Sequence, residues 1–309
     1  MPWSPRWGCS GGASSLHPHT AQVLKILARR RLSAIVVTPA YGWWVLCAKT
    51  VAAWPGFTVS TVRCCPNESD FSASQIRGDH RLVLVRHGRF RRRADGEIVD
   101  LDRTVGYIGG PGEEEGFAHP AGGDICTAVT IEPELLEAAM NPRAVYVDAR
   151  VELAHRRVLA AAAAGDVDCA LTEELIRLVG LAAQWPVPRP GPTDRMLVSA
   201  AREAIIDGAP ESTGLRPLAA ALKVSPYRLS RVFSRCMGVS LTRYRNRIRV
   251  GQALERVADG DTSLAELAAH LGFADQAHLT RTVSEHLGYT PAALRRQLTG
   301  APSQAGRNP

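Results

Sequence analysis

The chain has 309 residues, 45% hydrophobic and 22% charged, with a formal net charge of +7. That length accommodates two ordinary domains with separate cores, and the composition is globular, which excludes fibrous and low-complexity classes. The charge favours an anionic partner without identifying one. The most apolar stretch, Ala34 to Ala48, is interrupted by Thr38, Pro39 and Gly42 and falls short of the ~20 residues of a membrane span. No secretory leader is visible, and seven irregularly spaced cysteines do not make a disulfide framework, so the expected setting is the cytoplasm, with no membrane partner.

In chain order, residues 1–20 are rich in Ser, Gly, Pro and His and are expected to be a disordered tail. They contain Gly8-Cys9-Ser10-Gly11-Gly12, a formal G-x-S-x-G match that lacks the strand and helix a nucleophile elbow requires. From about Leu32 to Glu132 short β-prone runs follow one another: Ala34-Ile-Val-Val, Phe57-Thr-Val-Ser-Thr-Val, Arg81-Leu-Val-Leu-Val, Thr104-Val-Gly-Tyr-Ile and Ala128-Val-Thr-Ile. Turn residues at Asp95-Gly96, Gly109 to Gly112 and Gly122 to Asp124 separate several of them, which predicts a β-sandwich or barrel. Ala144–Ala164 and Thr172–Gln184 read as helices. Prolines at 186, 188, 190 and 192 fit neither helix nor central strand and predict a stiff linker over 185–193. The expected organisation is therefore α+β and multidomain. A β-rich domain with helices spans 21–184, an all-α domain spans 194–298, and 299–309 form a second disordered tail.

The all-α part contains a repeat. Leu229, Arg231, Ser234 and Gly238 recur as Leu279, Arg281, Ser284 and Gly288, and Leu218-Ala-Ala-Ala-Leu222 recurs as Leu267-Ala-Ala-His-Leu271. Helix, tight turn, helix, twice over, is the plain reading. Ser225-Pro226 and Thr290-Pro291 mark helix starts, Ser263 with Glu266 forms a capping box, and Gly238 and Gly288 close their helices. On the helix from Pro226 to Met237, Leu229, Val232, Phe233 and Cys236 form one apolar stripe. Tyr227, Ser230, Arg231 and Ser234 form a second stripe facing away, flanked by Arg228 and Arg235. Its side chains suit base edges, and the flanking arginines suit phosphates. From Arg216 to Val250 there are nine basic residues (216, 223, 228, 231, 235, 243, 245, 247 and 249) and no Asp or Glu, a pattern fitted to phosphate neutralisation. The second unit, with Ala277, Thr280, Arg281 and Ser284 outward and Glu266, Asp275 and Glu285 nearby, should grip more weakly. One helix, about Thr242 to Val257, would join the two units and set them on successive major-groove faces.

These elements resemble the AraC family of bacterial transcription regulators over Asp194 to Leu298. The residues that carry the resemblance are Leu218-Ala-x-x-Leu, Ser225-x-Tyr-x-Leu-Ser-Arg-x-Phe, Gly238, Arg249-x-x-x-Ala253, Leu267-Ala-x-x-Leu-Gly-Phe-x-Asp, Leu279-x-Arg, Gly288 and Thr290-Pro-x-x-Leu-Arg295. The resemblance implies base contacts from Tyr227, Ser230 and Arg231 in the first unit, and from Gln276, Thr280 and Arg281 in the second. Leu279 and Val283 depart from the family's usual aromatics but stay apolar. The β-rich part, especially Gly88-Arg-Phe to Thr130, is more loosely similar to the cupin-type sensor domain of such regulators, which binds an effector or mediates dimerisation. The implied partners are double-stranded promoter DNA, RNA polymerase, a small-molecule effector and a second copy of the chain as a homodimer, through the helices at 144–184. The expected output is transcription activation, not catalysis.

Cys64, Cys65, Cys126, His80, His87 and His119 lie in or beside the predicted strands, but no C-x-x-C or H-x-H spacing occurs there, and His17-Pro-His19 sits in the tail. Structural cysteines are therefore expected, with no metal or cofactor. The alternative is a metal-dependent cupin enzyme fused to a targeting module. Glu113-Glu-Glu115 beside glycines reads as a solvated loop tip, and Trp43 and Trp44 as core.

Overall fold

The structure is a computed structural model that describes residues 44–66, 70–132, 141, 143–165, 167–188, 190–258 and 263–298. Both expected tails, the Gly8–Gly12 motif, the Ala34 run, Trp43 and the side chain of Trp44 lie outside the described residues.

The β-rich part consists of strands β1 (Trp44–Trp54), β2 (Phe57–Pro66), β3 (Gln75–Ile76), β4 (His80–His87), β5 (Phe90–Ala94), β6 (Glu97–Leu101), β7 (Val105–Gly109), β8 (Glu114–Ala118), β9 (Asp124–Ile131) and β10 (Arg143–Tyr146). They form a sheet in the order β1-β2-β9-β4-β7-β10 and a second in the order β3-β8-β5-β6, every pairing antiparallel. β4 explains the layering. Its run Leu82-Val-Leu-Val85 is buried on both faces, as a central strand must be when each face is covered. Leu82 and Leu84 join a core with Val129, Val145, Val151, Val158 and Leu178, beneath the helices. Val83 and Val85 turn the other way, towards Phe90 and Leu101 of the second sheet. The β5–β6 hairpin turns on Asp95 (φ 50°) and Gly96 (φ 79°), both left-handed, the combination whose twist matches the flanking strands.

Helices α1 (Ala149–Ala164) and α2 (Thr172–Ala183) cover the outer face of the larger sheet. The expected helix start at Ala144 is corrected: residues 143–146 are β10, paired with β7. Val145, Tyr146 and Val147 suit a strand, and helix begins only after Asp148, whose carboxylate accepts the backbone N–H groups of Arg150 and Val151, each at 2.9 Å. The apolar residues of α1 have partners within the chain. Val151 and Val158 face the sheet, while Ala149 and Leu153 pack on the C-terminal helices.

The proline-rich segment runs back along β10: Tyr146 N–H donates to Trp185 O (2.8 Å) and Val187 N–H to Ala144 O (2.9 Å). Then come α3 (Pro192–Ile206), α4 (Leu215–Ala221), α5 (Pro226–Met237), α6 (Leu241–Ala258), α7 (Leu264–His270), α8 (Gln276–Leu287) and α9 (Pro291–Leu298). Leu229, Val232, Phe233 and Cys236 of α5 are all buried, and Phe233 meets Tyr244 edge-on at 5.1 Å. Leu279 and Val283 of α8 are buried with Leu254, Leu267 and Phe273, so the two aliphatic departures fill that core.

Candidate nucleic-acid interface

Each recognition-type helix is held by its own capping chemistry. Ser225 Oγ accepts Arg228 N–H (3.1 Å) at the start of α5, with Pro226 in the first turn, and Gly238 (φ 70°) closes it in the left-handed conformation. Asp275 accepts His278 N–H (2.6 Å) at the start of α8, and Gly288 (φ 77°) closes it. Because the apolar stripe of α5 is buried, its polar stripe is turned outward. Tyr227 is 73% exposed, Arg228 and Arg231 are exposed, and Ser230 and Ser234 are half-buried. Arg231 Nη1 lies 3.4 Å from Tyr227 Oη, one helical turn away, so the two present a joint donor surface. On α8, Gln276 and Arg281 are exposed and Thr280 is half-buried on the corresponding face. α6, 18 residues and so about 27 Å long, packs against both helices and spaces them.

The basic run is not one surface. Arg216, Lys223, Arg228, Arg231 and Arg243 are exposed. Arg235, expected at the interface, is exposed and pairs with Asp194 of α3. The Arg245 guanidinium donates to the Thr213 carbonyl, and burial together with Arg249 lowers its pKa. Arg247 is 1% exposed and leaves the DNA-facing set altogether. Its Nε donates to Val147 O (2.7 Å), Nη2 to Arg103 O (3.1 Å), and Nη1 lies 2.8 Å from Glu152 Oε2. Burial alone would raise the Glu152 pKa, but Arg247 and then Arg156 outweigh it and hold it at about 2. α1 packs on α6 at this point, a tertiary fact that no periodicity within α6 reveals.

Arg247 belongs to a polar seam joining the β-rich part to the helices. Tyr244 Oη is 2.9 Å from Thr104 Oγ1, which donates to Asp102 (2.6 Å). Arg202 of α3 pairs with the same Asp102, Arg195 with Asp100 (2.9 Å), and Arg89 with Glu203 (2.9 Å) and Asp207 (3.0 Å). From sequence, Arg247 was read in another role, Thr104 and Arg89 only as members of β-prone segments, and the other seam residues not at all. The remaining signal, acidic residues next to the predicted strand at Thr104, does not name its partners.

Beside the seam lies a cavity of about 510 Å³ between the second sheet, the proline-rich segment and the helices, lined among others by Arg92, Val99, Val105, Pro190, Arg195 and Met237. The reading of Glu113-Glu-Glu115 as a solvated loop tip is corrected near this cavity. Glu115 is 1% exposed on β8 and binds Arg81 (2.8 Å) and Arg92 (2.9 Å), while Glu113 binds Arg92 (2.8 Å). Strand alternation turns Glu115 into the sandwich, where buried guanidiniums require a carboxylate. At the other end of the sandwich, ligand-capable atoms of Cys64, His119 and Asp124 lie within 4.8 Å of one another. His80 and His87 stand at the two ends of β4 and are not among these three residues; His87 pairs with Ile125, next to Asp124.

The sequence over 218–297 matches a family model described as a helix-turn-helix domain. The chain is 30% identical over 84 residues to the regulatory protein PocR of Salmonella typhimurium, covering 27% of this chain and 28% of PocR. It is 32% identical over 71 residues to the probable transcription factor PqrA of Proteus vulgaris, covering 23% of this chain and 58% of PqrA. The chain therefore spans less than two thirds of either relative. Among solved structures, unsaturated fatty acid bound ToxT from Vibrio cholerae aligns over 82% of this chain and 99% of its own, at 9% identity and a TM-score of 0.33. The C-terminal domain of AraT, a response regulator from Geobacillus stearothermophilus, aligns over 36% of this chain and 88% of its own, at 26% identity and a TM-score of 0.32. With the repeated helix pairs of α4–α5 and α7–α8, the match shows that residues 218–297 are a helix-turn-helix domain.

Proposed function

We propose that the protein is a sequence-specific DNA-binding transcription regulator, with α5 and α8 entering successive major grooves and α5 supplying most of the affinity. The observation that carries this is the outward stripe of α5: Tyr227 and Arg231 exposed side by side, Arg228 beside them, and an apolar face fully consumed by the core. An exposed aromatic next to two guanidiniums, with no acid on the helix, suits base edges and phosphates better than water alone. Gln276, Thr280 and Arg281 refine register from α8. The finer reading is an activator that meets RNA polymerase at the promoter, as a monomer or homodimer, and answers a small-molecule effector. The cavity of about 510 Å³ supports the effector role, because a ligand there would touch sheet, linker and helices together and so favour one arrangement of the two parts.

The test is a mobility-shift titration on fragments selected from the host genome by the purified protein. Arg231→Ala is expected to lower the preference for the cognate fragment over random DNA by roughly 10- to 100-fold, the value of a lost bidentate base contact. Unchanged preference would show that α5 does not read sequence.

A further inference from the structure

Cys64 in β2 and Asp124 at the start of β9 are direct cross-strand partners, which sets both side chains on one face of the sheet. Cys126 follows Asp124 by two residues and shares that face. The turn after β8 folds back through a Gly122 N–H to His119 O hydrogen bond (3.1 Å) and brings His119 Nε2 to 2.8 Å from Asp124 Oδ1. The Cys126 thiol donates to the other carboxylate oxygen, Oδ2, at 2.9 Å. Phe90 stacks on the His119 ring at 5.5 Å and 23°, which fixes its plane. His119, Asp124 and Cys126 are buried, while Cys64 is half-buried and forms the open side.

We propose that Cys64, His119 and Asp124 form a binding site for a divalent metal ion of the zinc class, with Cys126 steadying the carboxylate from behind. The donor set is the first reason. One sulfur, one imidazole nitrogen and one carboxylate oxygen, with ligand atoms within 4.8 Å of one another, suit zinc and its neighbours, whereas magnesium and calcium take all-oxygen shells. Charge is the second. Three carboxylates are buried among the described residues: Asp102 faces Arg202, and Glu115 faces Arg81 and Arg92, but the described ion pair of Asp124 is with His119 alone. A buried carboxylate ringed by two thiols and an imidazole has no described guanidinium partner of the kind that faces the other two, and a dication would supply that charge. Binding then exchanges the Cys64 S–H proton, released to solvent, for a sulfur–metal bond. A metal here would depart from the expectation of none. The ligands come from two strands and a turn, so no C-x-x-C or H-x-H spacing announces them.

The test uses the full-length chain, kept reduced and stripped with a chelator, then titrated with Co²⁺ as a spectroscopic stand-in for Zn²⁺. One equivalent of Co²⁺ should produce a thiolate-to-cobalt charge-transfer band, bleached by one equivalent of Zn²⁺. Cys64→Ser should abolish the band, and Cys65→Ser should keep it. Asp124→Asn and His119→Gln should each weaken affinity at least tenfold, and Cys126→Ser about tenfold, as expected when a supporting partner is lost. No band at stoichiometric Co²⁺, or a band that survives Cys64→Ser, would overturn the proposal. A measurement independent of variant folding is alkylation of the wild-type protein mapped by mass spectrometry: Zn²⁺ should protect Cys64, and equal labelling with and without Zn²⁺ would refute the site.

Discussion

Arg247 and Arg243 are four residues apart on α6 and read alike in sequence, yet they do opposite things. Arg243 is exposed, whereas Arg247 is buried against Glu152 and two backbone carbonyls. Truncating a buried ion-pair partner leaves the other charge uncompensated. Arg247→Ala should therefore cost about 3–5 kcal/mol, while Arg243→Ala should change stability by less than about 0.5 kcal/mol and weaken DNA binding instead. Urea unfolding of both variants, with a DNA titration of Arg243→Ala, checks the contrast. Tyr244→Phe removes only the hydroxyl that meets Thr104 and should cost roughly 1 kcal/mol in the same assay.

At the scale of elements, Gly251 shows how α1 and α6 come together. A Cβ there would lie 2.8 Å from Glu152 Oε2 and 3.0 Å from Arg247 Nη1. Both side chains are held by further partners, so neither can swing aside freely. In an isolated helix Gly→Ala would add about 1 kcal/mol; here Gly251→Ala should destabilise by roughly 1–3 kcal/mol through overpacking. A double-mutant cycle with Glu152→Gln should show a coupling above about 0.5 kcal/mol, and strict additivity would exclude this explanation. The α5 stripe was legible because burial of Leu229, Val232, Phe233 and Cys236 follows from helical period alone. The start of α1 was not, because Ala144 to Val147 suits a strand as soon as β7 is there to pair with it.

Across the whole molecule, two buried groups tie the layers together and set an acid limit. His155 bonds Thr127 Oγ1 across the α1–sheet boundary (2.8 Å), and burial, then Arg86, lowers its pKa from 6.5 to about 4. Glu152, at the α1–α6 seam, sits at about 2 against an ordinary 4.5. Both folded values are depressed. Each group's contribution is therefore complete above its unfolded pKa and is lost as the pH falls through the folded one, from 6.5 to 4 for His155 and from 4.5 to 2 for Glu152. Thermal denaturation between pH 7 and 3 should show Tm falling in that direction. His155→Gln should flatten the upper part of the fall, and a Tm that rises on acidification would contradict the assignment.

By itself, the sequence determined the repeated helix-turn-helix units, their caps, the polar face of α5 and the β-rich character of the first half. Those features depend on residues a few positions apart, where helical and strand periods dictate which side is buried. Tertiary structure alone decided which basic residues stay in water, that Glu115 faces into the sandwich, and that Cys64 meets Asp124 and His119. Each of these depends on segments distant in the chain packing at a particular register, and burial, charge pairing and ligand geometry are properties of that packing.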